Sequence, residues 1–240
     1  MHYEAKVGHI GGNLSALDAI LHLQSQVMTG DDLFVLSKGH SAGALYIALW
    51  ATGQLQDDEL RAFHQDGTTL AGHTVAGWHK RIAFATGSLG HGLGLAAGAA
   101  LGKRLRGDPG TVYCLISDGE CEEGSTWESL MFAHHRKLAN LVVLVDANGL
   151  QGFGSTAEVA SLEPLVPKFR GFGLRVAEID GHAPEALDAV LKPLRHEPLI
   201  VVMRTVKGKG VSFMEGKMEW HYLPMNEAQY QQALRELAEA

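Results

Sequence analysis

The sequence has 240 residues, 46% of them apolar and 20% charged, with a formal net charge of -7; this is enough to bury a full core and too apolar to be a disordered chain. The negative balance excludes nucleic acid as a main partner, because a phosphate backbone wants a basic face. No apolar run has the roughly 20 residues of a membrane span, the start Met1-His2-Tyr3-Glu4 has no signal-peptide character, and Cys114 and Cys121 make no disulfide framework, so a cytoplasmic protein without a membrane partner is expected.

The first predicted element is a helix over Asn13 to Met28. Leu14, Leu17, Leu21 and Gln24 share one face of it, with Ile20 and Val27 close by. Leu33 to Leu36 is a short apolar run, read as a strand. Ser41 to Trp50 reads as helix, and Asp57-Asp58-Glu59 places acids where a helix N-terminus favours them. Gly92 to Leu105 is rich in Gly, Ala and Leu, which predicts a closely packed helix. From Thr111 onward the pattern becomes regular. Strands are predicted at Val112–Ile116, Leu141–Val145, Leu174–Ile179 and Leu199–Met203. Helices are predicted at Thr126–Leu138, Pro164–Phe172, Ala183–Leu194 and Asn226–Ala240. Buried apolar strands alternating with helices imply an α/β fold: a mostly parallel sheet with helices on both faces, here one domain over 1–240. Such sheets bind ligands beyond the carboxyl ends of their strands.

Two of those ends are chemically loaded. One strand runs into Ser117-Asp118-Gly119-Glu120, the other into Asp146-Ala147-Asn148-Gly149-Leu150. Asp118 and Asn148 lie 30 residues apart with a helix between, so a strand–helix–strand unit can return both to one crevice. A carboxylate and an amide oxygen are hard ligands that suit Mg²⁺ or Ca²⁺ rather than zinc. Gly119 lets backbone N–H groups reach the phosphates that would complete an Mg²⁺ shell. The residues alone leave two readings open: a metal–diphosphate site, or two strands ending in the common turn dipeptides Asp-Gly and Asn-Gly. The 29 glycines and 13 histidines favour a site approached by backbone and served by proton-transferring side chains.

Asp-Gly followed some 30 residues later by Asn resembles the thiamine-diphosphate signature. Glu120-Cys121-Glu122-Glu123-Gly124 with Glu128 makes the chain resemble the transketolase family in particular. The likeness runs from about His9 to His221. It takes in Gly8-His9, Phe34-Val35-Leu36-Ser37-Lys38-Gly39-His40, Gly72-His73, Gly87-Ser88-Leu89-Gly90-His91-Gly92, Ile179-Asp180-Gly181-His182 and Lys207-Gly208-Lys209-Gly210. The order and spacing of these segments are specific where each alone is weak.

The resemblance implies thiamine diphosphate and Mg²⁺, with Ca²⁺ or Mn²⁺ as substitutes. Asp118 and Asn148 would give side-chain oxygens to the metal and Leu150 its backbone carbonyl. Gly119 and Glu120 would offer backbone N–H groups to the diphosphate, with His40 beside it. Gly87, Ser88 and Leu89 match a loop along the aminopyrimidine ring, with Ser88 where the family usually has proline. His9, His73 and His221 would bind sugar hydroxyls and move protons. Glu123 and Glu128 match glutamates that face a subunit interface and link two active sites. His22, His64, His79, His134, His135 and His196 keep an ordinary surface or hydrogen-bonded reading.

The implied reaction is transfer of a two-carbon ketol unit from a ketose (phosphate) to an aldose (phosphate). In longer relatives the glutamate that activates the aminopyrimidine lies in a following domain, which this sequence does not include. The resemblance therefore implies a C-terminal partner subunit carrying that pyrimidine-binding domain and catalytic glutamate, in an α2β2 heterotetramer. Two alternatives stay open: an α-type subunit of a 2-oxoacid dehydrogenase, or a non-catalytic cofactor-binding paralogue. His9, His40 and His73 fit sugar hydroxyls better than a 2-oxoacid. A Mg²⁺-dependent nucleotide-binding domain finds no Walker or dinucleotide fingerprint in the sequence.

Overall fold

The computed structural model describes residues 1–239. Seven strands form: β1 (Leu33–Leu36), β2 (Val112–Ser117), β3 (Leu141–Ala147), β4 (Leu150–Gln151), β5 (Gly154–Ser155), β6 (Arg175–Asp180) and β7 (Leu199–Arg204). The α-helices are α1 (His2–Ala5), α2 (Ile10–His22), α3 (Ala42–Ala51), α4 (Asp57–Arg61), α5 (Gly92–Leu105), α6 (Gly124–His135), α7 (Thr156–Ala160), α8 (Leu165–Gly171), α9 (Pro184–Leu191) and α10 (Glu227–Glu239).

Five strands make one parallel sheet in the order β1-β2-β3-β7-β6. Period-2 alternation assigns its side chains to two cores. Phe34, Leu36, Tyr113, Leu115, Val142, Leu144, Leu199 and Val201 face α2, α3 and α9. Val35, Val112, Cys114, Ile116, Leu141, Val143, Val145, Ile200 and Val202 face α5, α6 and α8. Helices therefore cover both faces, and every residue of β2 and β3 is buried. That double burial is why these strands are uniformly apolar in sequence, and why β6, at the sheet edge, is mixed.

The predicted elements differ from those that form at their ends, and the short helices α1 and α7 form without having been predicted. The first long helix starts three residues earlier, at Ile10, and closes through a π turn over Leu23–Val27. α6 begins at Gly124 and stops at His135, and α9 stops at Leu191. The predicted final helix forms from Glu227, and its predicted last residue, Ala240, lies outside the described residues. The β4–β5 hairpin beyond β3 is unforeseen, because two-residue strands leave no periodicity to read. No helix is long and apolar enough to cross a membrane among the described residues.

Candidate active site

The carboxyl ends of β1, β2, β3 and β7 deliver Lys38, Gly119, Asn148 and Lys207 to one cavity of about 410 Å³. In-register pairing of β2 with β3 sets Ser117 beside Asp146 and so brings the two loaded loops together. The Asp118 carboxylate accepts hydrogen bonds from Gly119 N at 2.9 Å and Gly149 N at 2.6 Å. Gly149 has φ 76, a left-handed turn that any β-carbon would strain. Burial, then repulsion from Asp146, pushes the Asp118 pKa up to about 6, against the pull of those two N–H groups.

Asn148 Oδ1 accepts from Leu150 N at 3.1 Å. Its Nδ2 points back toward Asp146 Oδ2 at 3.3 Å and Ser15 Oγ at 3.4 Å. Asp146 is fully buried and ion-paired with Lys38, and it also accepts from Ser15 Oγ at 2.6 Å and from Thr205 Oγ1. Burial raises the Asp146 pKa, but the Lys38 charge and these hydrogen bonds outweigh it, and the net shift is downward.

Glu120 is fully buried and carries more than a backbone role. Its carboxylate accepts from Ser37 Oγ, from Gly90 N at 2.8 Å and from Ser117 N at 3.4 Å. It thereby ties the end of β1 to the Gly87–Gly90 loop. Its backbone N–H, read from the sequence as a phosphate donor, here donates to Ser117 Oγ at 3.2 Å. Gly87 and Leu89 line the cavity, while Ser88 faces outward and is exposed.

Four histidines converge above this floor. Ring centroids of His9 and His40 are 5.4 Å apart, His9 and His221 5.2 Å, His40 and His221 5.2 Å, and His9 and His73 5.8 Å. Gly8 makes the approach possible: a β-carbon there would stand 2.1 Å from Tyr222 O. Burial first, then mutual repulsion and the nearby lysines, holds His9 at about 4 and His221 at about 3. Burial and Lys38 hold His40 well below its ordinary value, and burial with His64 lowers His73. At neutral pH all four rings are neutral, each able to donate from one nitrogen and accept at the other. Lys207 Nζ lies 2.9 Å from His221 Nδ1; an ammonium only donates, so the His221 proton sits on Nε2.

Lys207 is 2% exposed, and no carboxylate among the described residues lies within ion-pair reach of it. Burial, then Lys38, lowers its pKa to about 8. A buried cation lacking an anion and a buried carboxylate lacking a cation fit a site in which Lys207 would take a diphosphate and Asp118 a metal ion.

Residues 4–238 match the family model described as transketolase, thiamine diphosphate binding domain. The chain belongs to the transketolase family. This transketolase chain is 39% identical over 243 residues to the 6-deoxy-6-sulfo-D-fructose transketolase subunit SqwG of Clostridium sp. (strain MSTE9), covering 96% of the chain and 88% of that relative. It is 37% identical over 252 residues to one of the subunits of the apulose-4-phosphate transketolase of Phocaeicola vulgatus, covering 99% and 88%. Human transketolase is 38% identical over 212 residues, which is 86% of this chain but 33% of that protein. The solved transketolase of Leishmania mexicana superposes with TM-score 0.87 at 28% identity, covering 98% of this chain and 38% of that one. The sequence resemblance and the α/β fold are both borne out.

The structure of this transketolase chain brings His9, His40, His73, His221, Gly87, Leu89, Gly119, Asn148 and Leu150 to one cavity, while Asp118 is buried between the lining residues Ser117 and Gly119. Glu123 lines the rim at the N-cap of α6, and Glu128 is exposed further along that helix. Sequence reasoning gave no role to Lys38, Lys207, Asp146 or Ser15. The two lysines stand inside recognised segments, and a lysine just past a buried strand is a signal that could have found them. Asp146 stands in the loaded strand end but was given no role of its own, and Ser15 carries no local signal. His64, read as ordinary, lines a small cavity behind His9 and His73.

Proposed function

We propose that this chain is the thiamine-diphosphate- and Mg²⁺-binding subunit of a split transketolase, one pyrophosphate-binding domain that works with a separate C-terminal subunit. The observation that carries the reading is the meeting, at four strand ends, of the metal-type oxygens of Asp118 and Asn148 with the buried, anion-lacking Lys207. Asp118, Asn148 and the Leu150 carbonyl would hold Mg²⁺. His40 and Lys207 would hold the diphosphate, joined by the Gly119 N–H once it leaves Asp118, and the backbone of Gly87, Ser88 and Leu89 would flank the aminopyrimidine.

Thiamine diphosphate supplies a nucleophilic thiazolium carbon when bound. The chain's own residues do the rest. His9, His73 and His221, being neutral, hydrogen-bond the hydroxyls of a ketose donor and take up or return protons as its carbon–carbon bond is cleaved. Groups in this role contribute about 10²–10⁴-fold. The Nε2–H of His221 is the donor that Lys207 keeps in place.

The partner requirement is supported by the relatives: the chain covers 88% of two proteins named as transketolase subunits, against 33% of human transketolase. The partner would supply the pyrimidine-binding domain and its glutamate, in a cytoplasmic α2β2 heterotetramer where Glu123 and Glu128 link neighbouring sites. The substrates would be a ketose and an aldose, phosphorylated or otherwise acidic, by analogy with the two relatives.

The test is ketol transfer from xylulose 5-phosphate to ribose 5-phosphate, with thiamine diphosphate and Mg²⁺, by the chain alone and with the partner. Activity is expected only in the mixture, and it disappears with Asp118→Ala. A mixture that decarboxylates a 2-oxoacid and accepts no ketose overturns the proposal.

A further inference from the structure

Asn13 stands on the first turn of α2, behind the histidine cluster, and it is 4% exposed. Its side chain is fully used. Oδ1 accepts from Ala44 N at 2.7 Å. A backbone N–H can only donate, so the amide orientation is determined and Nδ2 must face the other way. There its two hydrogens go to His9 O at 2.8 Å and His40 O at 3.1 Å. One amide thus joins the backbones of two histidines from different elements: His9 from the N-cap of α2, His40 from the turn after β1.

The link matters because His9 is not in a relaxed conformation. Its φ is 66, a left-handed state that a non-glycine residue keeps only when its surroundings hold it there. Two groups do so. Asn13 holds the His9 carbonyl, and the His9 N–H donates to His221 O at 3.1 Å. The second bond carries the constraint on to His221. Asn13, through that amide and through its own backbone N–H, which donates to His9 O at 3.2 Å, is thus tied directly to His9 and His40 and, through His9, to His221.

We propose that Asn13 is a positioning residue that sets the spacing of His9, His40 and His221 without touching substrate or cofactor. The assignment rests on the transketolase reading for its kinetic consequence, and on the hydrogen-bond geometry alone for its structural one.

Two variants separate the role from simple support of the fold. Asn13→Asp keeps an oxygen for Ala44 N and removes the amide hydrogens that hold His9 and His40. Asn13→Ala removes both functions, so Asn13→Asp still decides the matter if the alanine variant folds poorly. In the full chain with its partner, Asn13→Asp is expected to lower kcat about 10–100-fold, the scale of a misplacement near one ångström. The Kd for thiamine diphosphate should rise by a smaller factor than kcat falls, because His40 is one of its proposed partners while Asp118, Asn148 and Lys207 are held by other elements.

The second readout is independent of activity. Long-range ¹H–¹⁵N spectra of the histidine rings should show His9, His40 and His221 shifted in Asn13→Asp, with His135 and His196 unmoved. If the cluster resonances stay in place, or if kcat remains within twofold of the parent, the proposal is wrong. Should the parent assembly transfer no ketol unit at all, the transketolase reading fails and the spectra still decide the positioning role.

Discussion

Lys38→Met is the perturbation that asks most of the site's electrostatics. Lys38 and Asp146 are 1% and 0% exposed in their side chains and ion-paired; Lys38 also donates to Gly12 O at 3.1 Å. Removing one partner of a buried pair leaves the other charged and desolvated, which costs about 3–5 kcal/mol. The Ser15 and Thr205 hydroxyls still bond Asp146, so the loss should fall at the lower end of that range. Asp146→Asn leaves Lys38 stranded and costs a similar amount. The double variant strands neither charge, so it should be less destabilised than the two singles together by about 2 kcal/mol or more. The assay is urea unfolding of the full chain and its three variants, read by midpoint at constant slope. The pH dependence follows in sign. The folded Asp146 pKa lies below the ordinary carboxylate value, so its contribution is complete above that value and disappears as pH falls through the folded one. Additivity of the two substitutions within about 0.5 kcal/mol would falsify the view that this pair is one coupled unit.

Asp118, raised to about 6, has the opposite sign: the metal-free chain should lose stability as pH rises from about 4 to about 6 and level off above, seen as a falling Tm in a chelator. Across the same range Mg²⁺ affinity should weaken by up to about tenfold per pH unit below 6, because metal and proton compete for one carboxylate. Glu120→Ala should release the Gly87–Gly90 loop and leave the Gly90 and Ser117 N–H groups without acceptors, destabilising the chain by about 2–4 kcal/mol and weakening thiamine diphosphate binding in a fluorescence titration. Gly87→Ala should displace His73, since its β-carbon would stand 2.9 Å from His73 Cδ2 at φ 144; kcat is expected to fall about tenfold or more with the Mg²⁺ titration unchanged. In histidine NMR titrations of the cofactor-free chain, His9 and His221 should remain neutral down to about pH 4 and about pH 3, and midpoints near 6.5 for both would refute the crowded, desolvated cluster.

Much of this protein was legible in one dimension. The uniformly apolar runs of β2 and β3 announced strands buried on both faces, because only a strand covered by helices on each side has no polar positions to spare. Asp118 and Asn148 were readable because a strand–helix–strand unit has a preferred length, and that length brings its strand ends together. The histidines could be placed only by resemblance: periodicity says nothing about loops, and His9, His73 and His221 all stand outside the long helices and the strands. Glu120 was read only through its N–H, because its carboxylate partners Ser37 and Gly90 lie 83 and 30 residues away.

The sequence by itself determined the two-faced parallel sheet, the pair of loaded strand ends and the family. The tertiary structure alone decided which charges share a dielectric. Lys38 and Asp146 are 108 residues apart in the chain, and Lys207 meets His221 and the Leu150 carbonyl only when β7 pairs with β3. Ionisation depends on burial and on neighbours a few ångströms away, and those distances exist only once the sheet has formed.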